Sequence, residues 1–275
     1  MQGKLYLVAT PIGNLDDITF RAIKTLKEVD IIAAEDTRHT LKLLNYYEIN
    51  KPLISYHRHN EDIRSDKLIK QILEGKNIAV VSDAGTPGIS DPGEEIAKEA
   101  IKNNIEVIPI PGACALINAL ICSGLNTKEF AFYGFLPLNN KNRKLVINSI
   151  KNENKTVILY EAPHKLKKTL EDIKQNIGDI KCVIAKELTK IHENFYRGNI
   201  SSIIEDIGDP KGEYIILLDL KQNKLKEDEI SKMSIEEQYN MYKMEGLEKK
   251  EIIKQIARNK KVPKNEIYQI FLNKD

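Results

Sequence analysis

Four short apolar runs, at residues 5–9, 31–34, 78–81 and 107–110, are rich in valine and isoleucine with almost no polar interruption. That is the composition of strands covered on both faces. Between them the apolar positions switch to helical spacing at 18–26, 37–46, 66–73 and 94–101. In the third of these, Leu68, Ile69, Ile72 and Leu73 share one face and Gly75 marks the stop. Alternating strand and helix predict βαβ units and a parallel sheet. After a small-residue helix at 115–125, ended by a Ser-Gly pair, the pattern restarts with apolar runs at 130–135, 156–160, 182–185 and 214–220. Helical stretches at 143–151 and 165–176 separate this second strand set, and a Gly-Asp-Pro-Lys-Gly turn precedes its last run. From 222 onward the strands stop, and helical patterns follow at 235–244, 248–257 and 265–272. The expected organisation is an α/β domain over 1–124, a second α/β domain over 125–222 and a helical appendix over 223–275.

The 275 residues suffice for two domains of ordinary size, and no stretch approaches the roughly 18 apolar residues of a membrane helix. The N-terminus enters a strand without a basic-then-apolar leader, so a soluble, cytoplasmic protein is expected. Cys114, Cys122 and Cys182 include no Cys-x-x-Cys pair, which points to small buried residues and to neither disulfides nor a thiolate metal site. The net charge of +2 announces no nucleic-acid partner, but charge is unevenly placed: residues 249–264 hold seven Lys or Arg against Glu251 alone. With Pro263 opening a short helix after a basic turn, the appendix reads either as a small helix-turn-helix or as a solvated helix pair.

Tight turns fall where the strands of the first set end. Thr10-Pro11-Ile12-Gly13 follows the first run, residues 82–93 follow the third, and Pro111-Gly112-Ala113-Cys114 follows the fourth. In open α/β sheets ligands bind beyond the carboxyl ends of the strands, where glycines let backbone approach closely. The 82–93 loop combines its glycines and prolines with Asp83, Thr86, Ser90 and Asp91, a ligand-binding pattern whose plainer reading is a turn capped by Asp91. None of these turns matches the dinucleotide fingerprint or the phosphate loop. Asp36 and Arg38 stand at the end of the second run, with Asp36 either capping a helix or meeting a substrate. His57, Arg58, His59, Asn60 and Glu61 form a polar loop whose spacing is poor for zinc. Tyr160-Glu161-Ala162-Pro163-His164 and Lys186-Glu187 end strands of the second set.

Five strings carry a resemblance to a known family: Leu-Val-Ala-Thr-Pro-Ile-Gly-Asn-Leu-Asp-Asp-Ile at 7–18, Ala-Glu-Asp-Thr-Arg at 34–38, His-Asn-Glu at 59–61, Ser-Asp-Ala-Gly-Thr-Pro-Gly-Ile-Ser-Asp-Pro-Gly at 82–93, and Glu-Ala-Pro-His at 161–164. The chain resembles the ribosomal RNA small subunit methyltransferase I family over nearly its whole length. The resemblance implies an α/β, two-domain tetrapyrrole-methylase-like fold with a cofactor cleft between the domains. It also implies an S-adenosylmethionine-dependent homodimer that methylates the ribose 2'-hydroxyl of a cytidine in the decoding region of small-subunit rRNA, with no metal. By analogy Pro11, Asp83, Gly85, Thr86, Pro87, Ser90, Pro111, Gly112, Ala113 and Cys114 line the cofactor from one side, and Ala162, Pro163 and Glu213 close it from the other. Asp36, Glu61 and His59 are the candidates for removing the hydroxyl proton, with Arg38 orienting an acid or holding a phosphate. Arg143 and Lys144, with the basic appendix, are expected to contact RNA phosphates. A tetrapyrrole precursor is the alternative substrate within the same fold.

Overall fold

The computed structural model describes residues 1–58, 60–221 and 229–272. Its first half is a five-stranded sheet of β1 (Leu5–Val8), β2 (Ile31–Ala34), β3 (Leu53–Ser55), β4 (Ile78–Val81) and β5 (Val107–Ile110), ordered β3-β2-β4-β1-β5. Every pairing is parallel. Both faces are covered, which is why the strands read as unbroken apolar runs. Leu5 and Leu7, Ile31 and Ala33, and Ile78 and Val80 face one cluster, while Tyr6 and Val8, Ile32 and Ala34, and Ala79 and Val81 face another. Pro109, which has no N–H for a ladder, sits in β5, an edge strand.

The helices are α1 (Phe20–Glu28), α2 (Thr37–Tyr46), α3 (Glu61–Leu73), α4 (Glu94–Lys102) and α5 (Ala115–Ser123). Thr19 caps α1 by accepting the Ala22 N–H at 3.0 Å, and Ala22, Thr25 and Leu26 supply its buried stripe. In α3, Leu68, Ile69 and Ile72 are buried as expected, whereas Leu73 is exposed. α5 ends with Gly124 in the left-handed region.

The second half holds β6 (Phe130–Phe135), α6 (Asn140–Lys151), β7 (Thr156–Glu161), α7 (Leu166–Asn176), β8 (Lys181–Lys186), β9 (Asn194–Asn199), α8 (Ile200–Asp206) and β10 (Tyr214–Asp219). Its sheet has the order β6-β7-β10-β8-β9, parallel between β6 and β7 and antiparallel elsewhere. One face packs on α6, α7 and α8. The other is covered by Leu116, Ala119 and Leu120 of α5, with Ile12 and Cys114 beside them, so a helix that begins at the first sheet completes the core of the second. α9 (Ile235–Met244), α10 (Lys249–Lys260) and α11 (Lys264–Leu272) enclose a separate small core around Ile252, Ile253, Ile256 and Ile267. No described helix is long and apolar enough to cross a membrane. Of the cysteines, Cys182 is buried but Cys122 is exposed, contrary to expectation.

Candidate active site

The turns after β1, β4 and β5 are bound to one another. Thr10 and Gly85 exchange two backbone hydrogen bonds, of 2.8 and 3.0 Å, and the Thr86 hydroxyl donates to the Ala113 carbonyl at 3.0 Å. Gly85 holds φ +82°, and a Cβ there would stand 3.1 Å from Ile12 Cγ2, so both its conformation and its room call for glycine. Gly112 backs onto Ala9, whose Cβ a methyl at 112 would meet at 2.9 Å. At the tip of the long loop Ser90 is left-handed, φ +66°, and its carbonyl accepts from the Arg58 guanidinium. The helix that follows is capped by Gly93, and Asp91 makes no cap.

The facing wall comes from the second sheet. β10 runs antiparallel between β7 and β8, with Tyr214 in register with both Glu161 and Lys186. Glu213, at the start of β10, therefore meets the carboxyl ends of β7 and β8. Glu187, at φ +49°, accepts the Glu213 N–H at 2.9 Å and is paired with Lys190 at 3.0 Å; Lys190 also reaches Glu213 at 3.0 Å. Non-glycine residues rarely adopt that backbone unless their surroundings enforce it. Glu161, 5 % exposed, accepts the Ala162 N–H at 2.9 Å and the Thr169 hydroxyl at 2.5 Å. Thr169 in turn accepts from Arg143, which is also bound to Asp172 at 2.8 Å. Arg143 is thus 9 % exposed and committed to holding Glu161, which removes it from the expected phosphate contacts. The two walls touch where the Asn14 N–H donates to the Thr189 hydroxyl at 3.1 Å.

Between the walls lies a cavity of about 350 Å³. Of the cofactor candidates, Gly85, Thr86, Ser90, Cys114, Ala162, Pro163 and Glu213 line it. Pro11, Asp83, Pro87, Pro111, Gly112 and Ala113 belong to the same turns but do not line it. Asp36, Arg38 and Glu61 are not part of the wall, and His59 lies outside the described residues. Asp36 accepts the Arg38 N–H at 2.8 Å, capping α2, and Arg38 closes a two-point clamp on the same carboxylate. That clamp holds the Asp36 carboxyl well below the usual range. Glu61 opens α3 beside Tyr56, whose phenol burial pushes up to about 12. The short-range pattern did not single out Phe135 and Tyr214 of the apolar lining, nor that Asp83 and Asp91 gather with Glu35. Asp83 Oδ1 accepts the Asp36 N–H at 2.9 Å, and Glu35 approaches the Asp83 N–H at 3.4 Å. Burial raises Glu35, and burial with nearby Glu35 and Asp83 raises Asp91 to about 6 against the opposing Arg58. No group of side chains suited to a metal ion occurs among the described residues.

Residues 4–204 match the family of tetrapyrrole (corrin/porphyrin) methylases. A protein named ribosomal RNA small subunit methyltransferase I from Halalkalibacterium halodurans is 47 % identical, covering 98 % of this chain and 95 % of its own. A protein of the same name from Thermotoga maritima is 47 % identical, with 80 % of this chain accounting for 100 % of it. Among solved structures, a diphthine synthase has TM-score 0.63 at 16 % identity over 78 % of this chain and 90 % of its own. A uroporphyrin-III-C-methyltransferase from Thermus thermophilus has TM-score 0.56 at 18 % identity over 80 % and 96 %. At such identities the structural likeness speaks for the fold, whereas nearly full-length identity near one half speaks for the family. The chain belongs to the ribosomal RNA small subunit methyltransferase I family and has the tetrapyrrole-methylase fold.

Proposed function

We propose that this protein is an S-adenosylmethionine-dependent methyltransferase of small-subunit rRNA, acting as a cytoplasmic homodimer on the ribose 2'-hydroxyl of a cytidine in the decoding region. The observation that carries this reading is the cavity itself, walled by strand-end turns of both sheets in a chain that matches rRNA methyltransferases along 98 % of its length. Its volume is in the range of small-ligand clefts. Its apolar floor suits a flat nucleoside. Glu161, Glu187 and Glu213 place negative charge along one side, suited to a donor that carries positive charge. When bound, S-adenosylmethionine supplies an activated methyl group on a sulfonium.

The protein's work is then chiefly positioning, since holding nucleophile and methyl in line can supply up to about 7–11 kcal/mol of a barrier. Thr86, Ser90 and Cys114 hold the donor from one side and Ala162 and Pro163 from the other. Pro11, Asp83, Pro87, Pro111, Gly112 and Ala113 fix the turns that carry that lining. Arg38, with its side chain 88 % exposed, offers a cation to a backbone phosphate while Asp36 anchors it. The exposed lysines of α10 add contacts that hold RNA without reading bases.

The test is incubation of the protein with methyl-labelled S-adenosylmethionine and unmodified small ribosomal subunits, followed by mass spectrometry of the nucleosides. Label in 2'-O-methylcytidine is the expected result. Absence of label from RNA would overturn the substrate, and label in a different nucleoside would overturn the acceptor.

A further inference from the structure

β6 does not run evenly along β7. Phe132 pairs with Ile158 but Gly134 with Leu159, so Tyr133 is passed over and the register moves by one residue. Gly134 holds φ +63° at this bulge, and a Cβ on it would stand 3.4 Å from the Ser90 Oγ of the facing loop. The shift decides where the next ring goes. Ala131 and Tyr133 pack on the face of the sheet covered by α6, α7 and α8, and Phe132 on the face covered by α5. Unbroken alternation would send Phe135 to the first of these faces, beside Tyr133. Instead Leu136 is buried there, while Phe135 comes into register with Tyr160 and lines the cavity. Tyr160 meets both rings edge-on, Phe132 at 4.9 Å and Phe135 at 5.7 Å. Phe132 is packed into the α5 core, but Phe135 is left 58 % exposed at the cavity. A bulge beside a site that re-aims one side chain is a device for placing that side chain.

We propose that Phe135 is the platform on which the base of the acceptor nucleotide stacks. This rests on the function proposed above, in which the acceptor is a ribose hydroxyl of rRNA. A cavity of about 350 Å³ has no room for a duplex, so the acceptor must leave its helical stack to bring its hydroxyl to the methyl group. A base turned out in this way loses its neighbours, and an aromatic ring open to solvent replaces them. Stacking needs no hydrogen-bond pattern, so the ring orients the nucleotide without reading it. On the facing loop the Ser90 carbonyl holds the exposed Arg58, a cation suited to an adjoining phosphate.

The test compares Phe135→Ala, Phe135→Leu and Phe135→Tyr with the unaltered protein. Single-turnover labelling is followed against the concentration of unmodified small ribosomal subunits. Calorimetry measures affinity for S-adenosylhomocysteine, and size-exclusion chromatography the oligomeric state. In Phe135→Ala the half-saturating subunit concentration should rise by about 5–150-fold, the range for losing one base stacked on an aromatic ring. Phe135→Leu, apolar but not flat, should show a comparable rise, and Phe135→Tyr a value near that of the unaltered protein. Affinity for S-adenosylhomocysteine should change far less, and the oligomeric state should stay the same. Unaltered half-saturation in Phe135→Ala would overturn the proposal, and so would full recovery in Phe135→Leu, which would make the residue an apolar filler. A loss of S-adenosylhomocysteine affinity equal to the loss for subunits would put the ring against the cofactor instead, and a changed oligomeric state would make it a contact between copies; either result overturns the role given to Phe135. No label in RNA from the unaltered protein would overturn the functional reading itself and the stacking role with it.

Discussion

Asp91 sits where ionisation is unfavourable to the folded chain. Its folded pKa of about 6 exceeds the ordinary carboxylate value near 3.8. Between those values the folded protein keeps a proton that the unfolded chain has released, so stability falls as pH rises through that window and stays lower above it. Burial is the main cause, with Glu35 and Asp83 adding to it and Arg58 opposing. Asp91→Asn removes the burden, so the ligand-free variant should melt at a higher temperature than the unaltered protein at neutral pH. The gap should close as the pH is lowered towards about 4. Thermal melts at several pH values check this, and an equal gap at every pH would remove the electrostatic explanation. Arg143 shows the contrary case of a charge that strengthens its surroundings. With Thr169 and Asp172 it leaves no loose end around the buried Glu161, the arrangement under which a buried ion pair is tolerated.

Among the elements, the appendix helices are the most separable. Their core of Ile252, Ile253, Ile256 and Ile267 is their own, Tyr239 stacks on Phe271 at 4.4 Å, and Gln238 is held by Asn259 at 3.0 Å. Lys260 donates to the Ser231 and Met233 carbonyls, so it is spent inside the appendix, while Lys250, Lys254, Arg258, Lys261 and Lys264 are exposed. Deleting residues 223–275 should leave S-adenosylhomocysteine affinity intact by calorimetry, weaken RNA binding and flatten its dependence on salt. Equal loss of both affinities would refute this. The elements also show what local pattern can and cannot reveal. The runs at 78–81 and 214–220 announced themselves because both faces of a central strand are apolar. β9, Asn-Phe-Tyr-Arg-Gly-Asn, is an edge strand with no apolar run, and β3 is three residues long, so neither was legible. α8 is too short for its spacing to stand out. Turns that make one lip of the cavity were legible through glycine and proline. Tyr160 and Phe135 become neighbours of that lip only when the second sheet arrives, because that proximity is set by contacts far apart in sequence.

At the scale of the molecule, the two sheets share a seam. α5 starts from the turn after β5 and buries Leu116, Ala119 and Leu120 against β7, β8 and β10, with Ile12 and Leu188 closing the same cluster. Opening that seam would uncover the apolar face of the second sheet, at roughly 25 cal/mol for each Å² exposed. The cavity is therefore shaped by a shared core, with Thr189 and Asn14 joined at its rim. Heat should respect that boundary: residues 1–221 should melt as one cooperative unit in differential scanning calorimetry, because neither sheet can keep a complete core once α5 is lost. The appendix should contribute its own, separate transition. Two transitions within a chain truncated after residue 221 would mean that the halves are autonomous. A single one would make the methyl-transfer cleft a property of the cooperative unit, so that damage on either side of it is felt as lost folding of both.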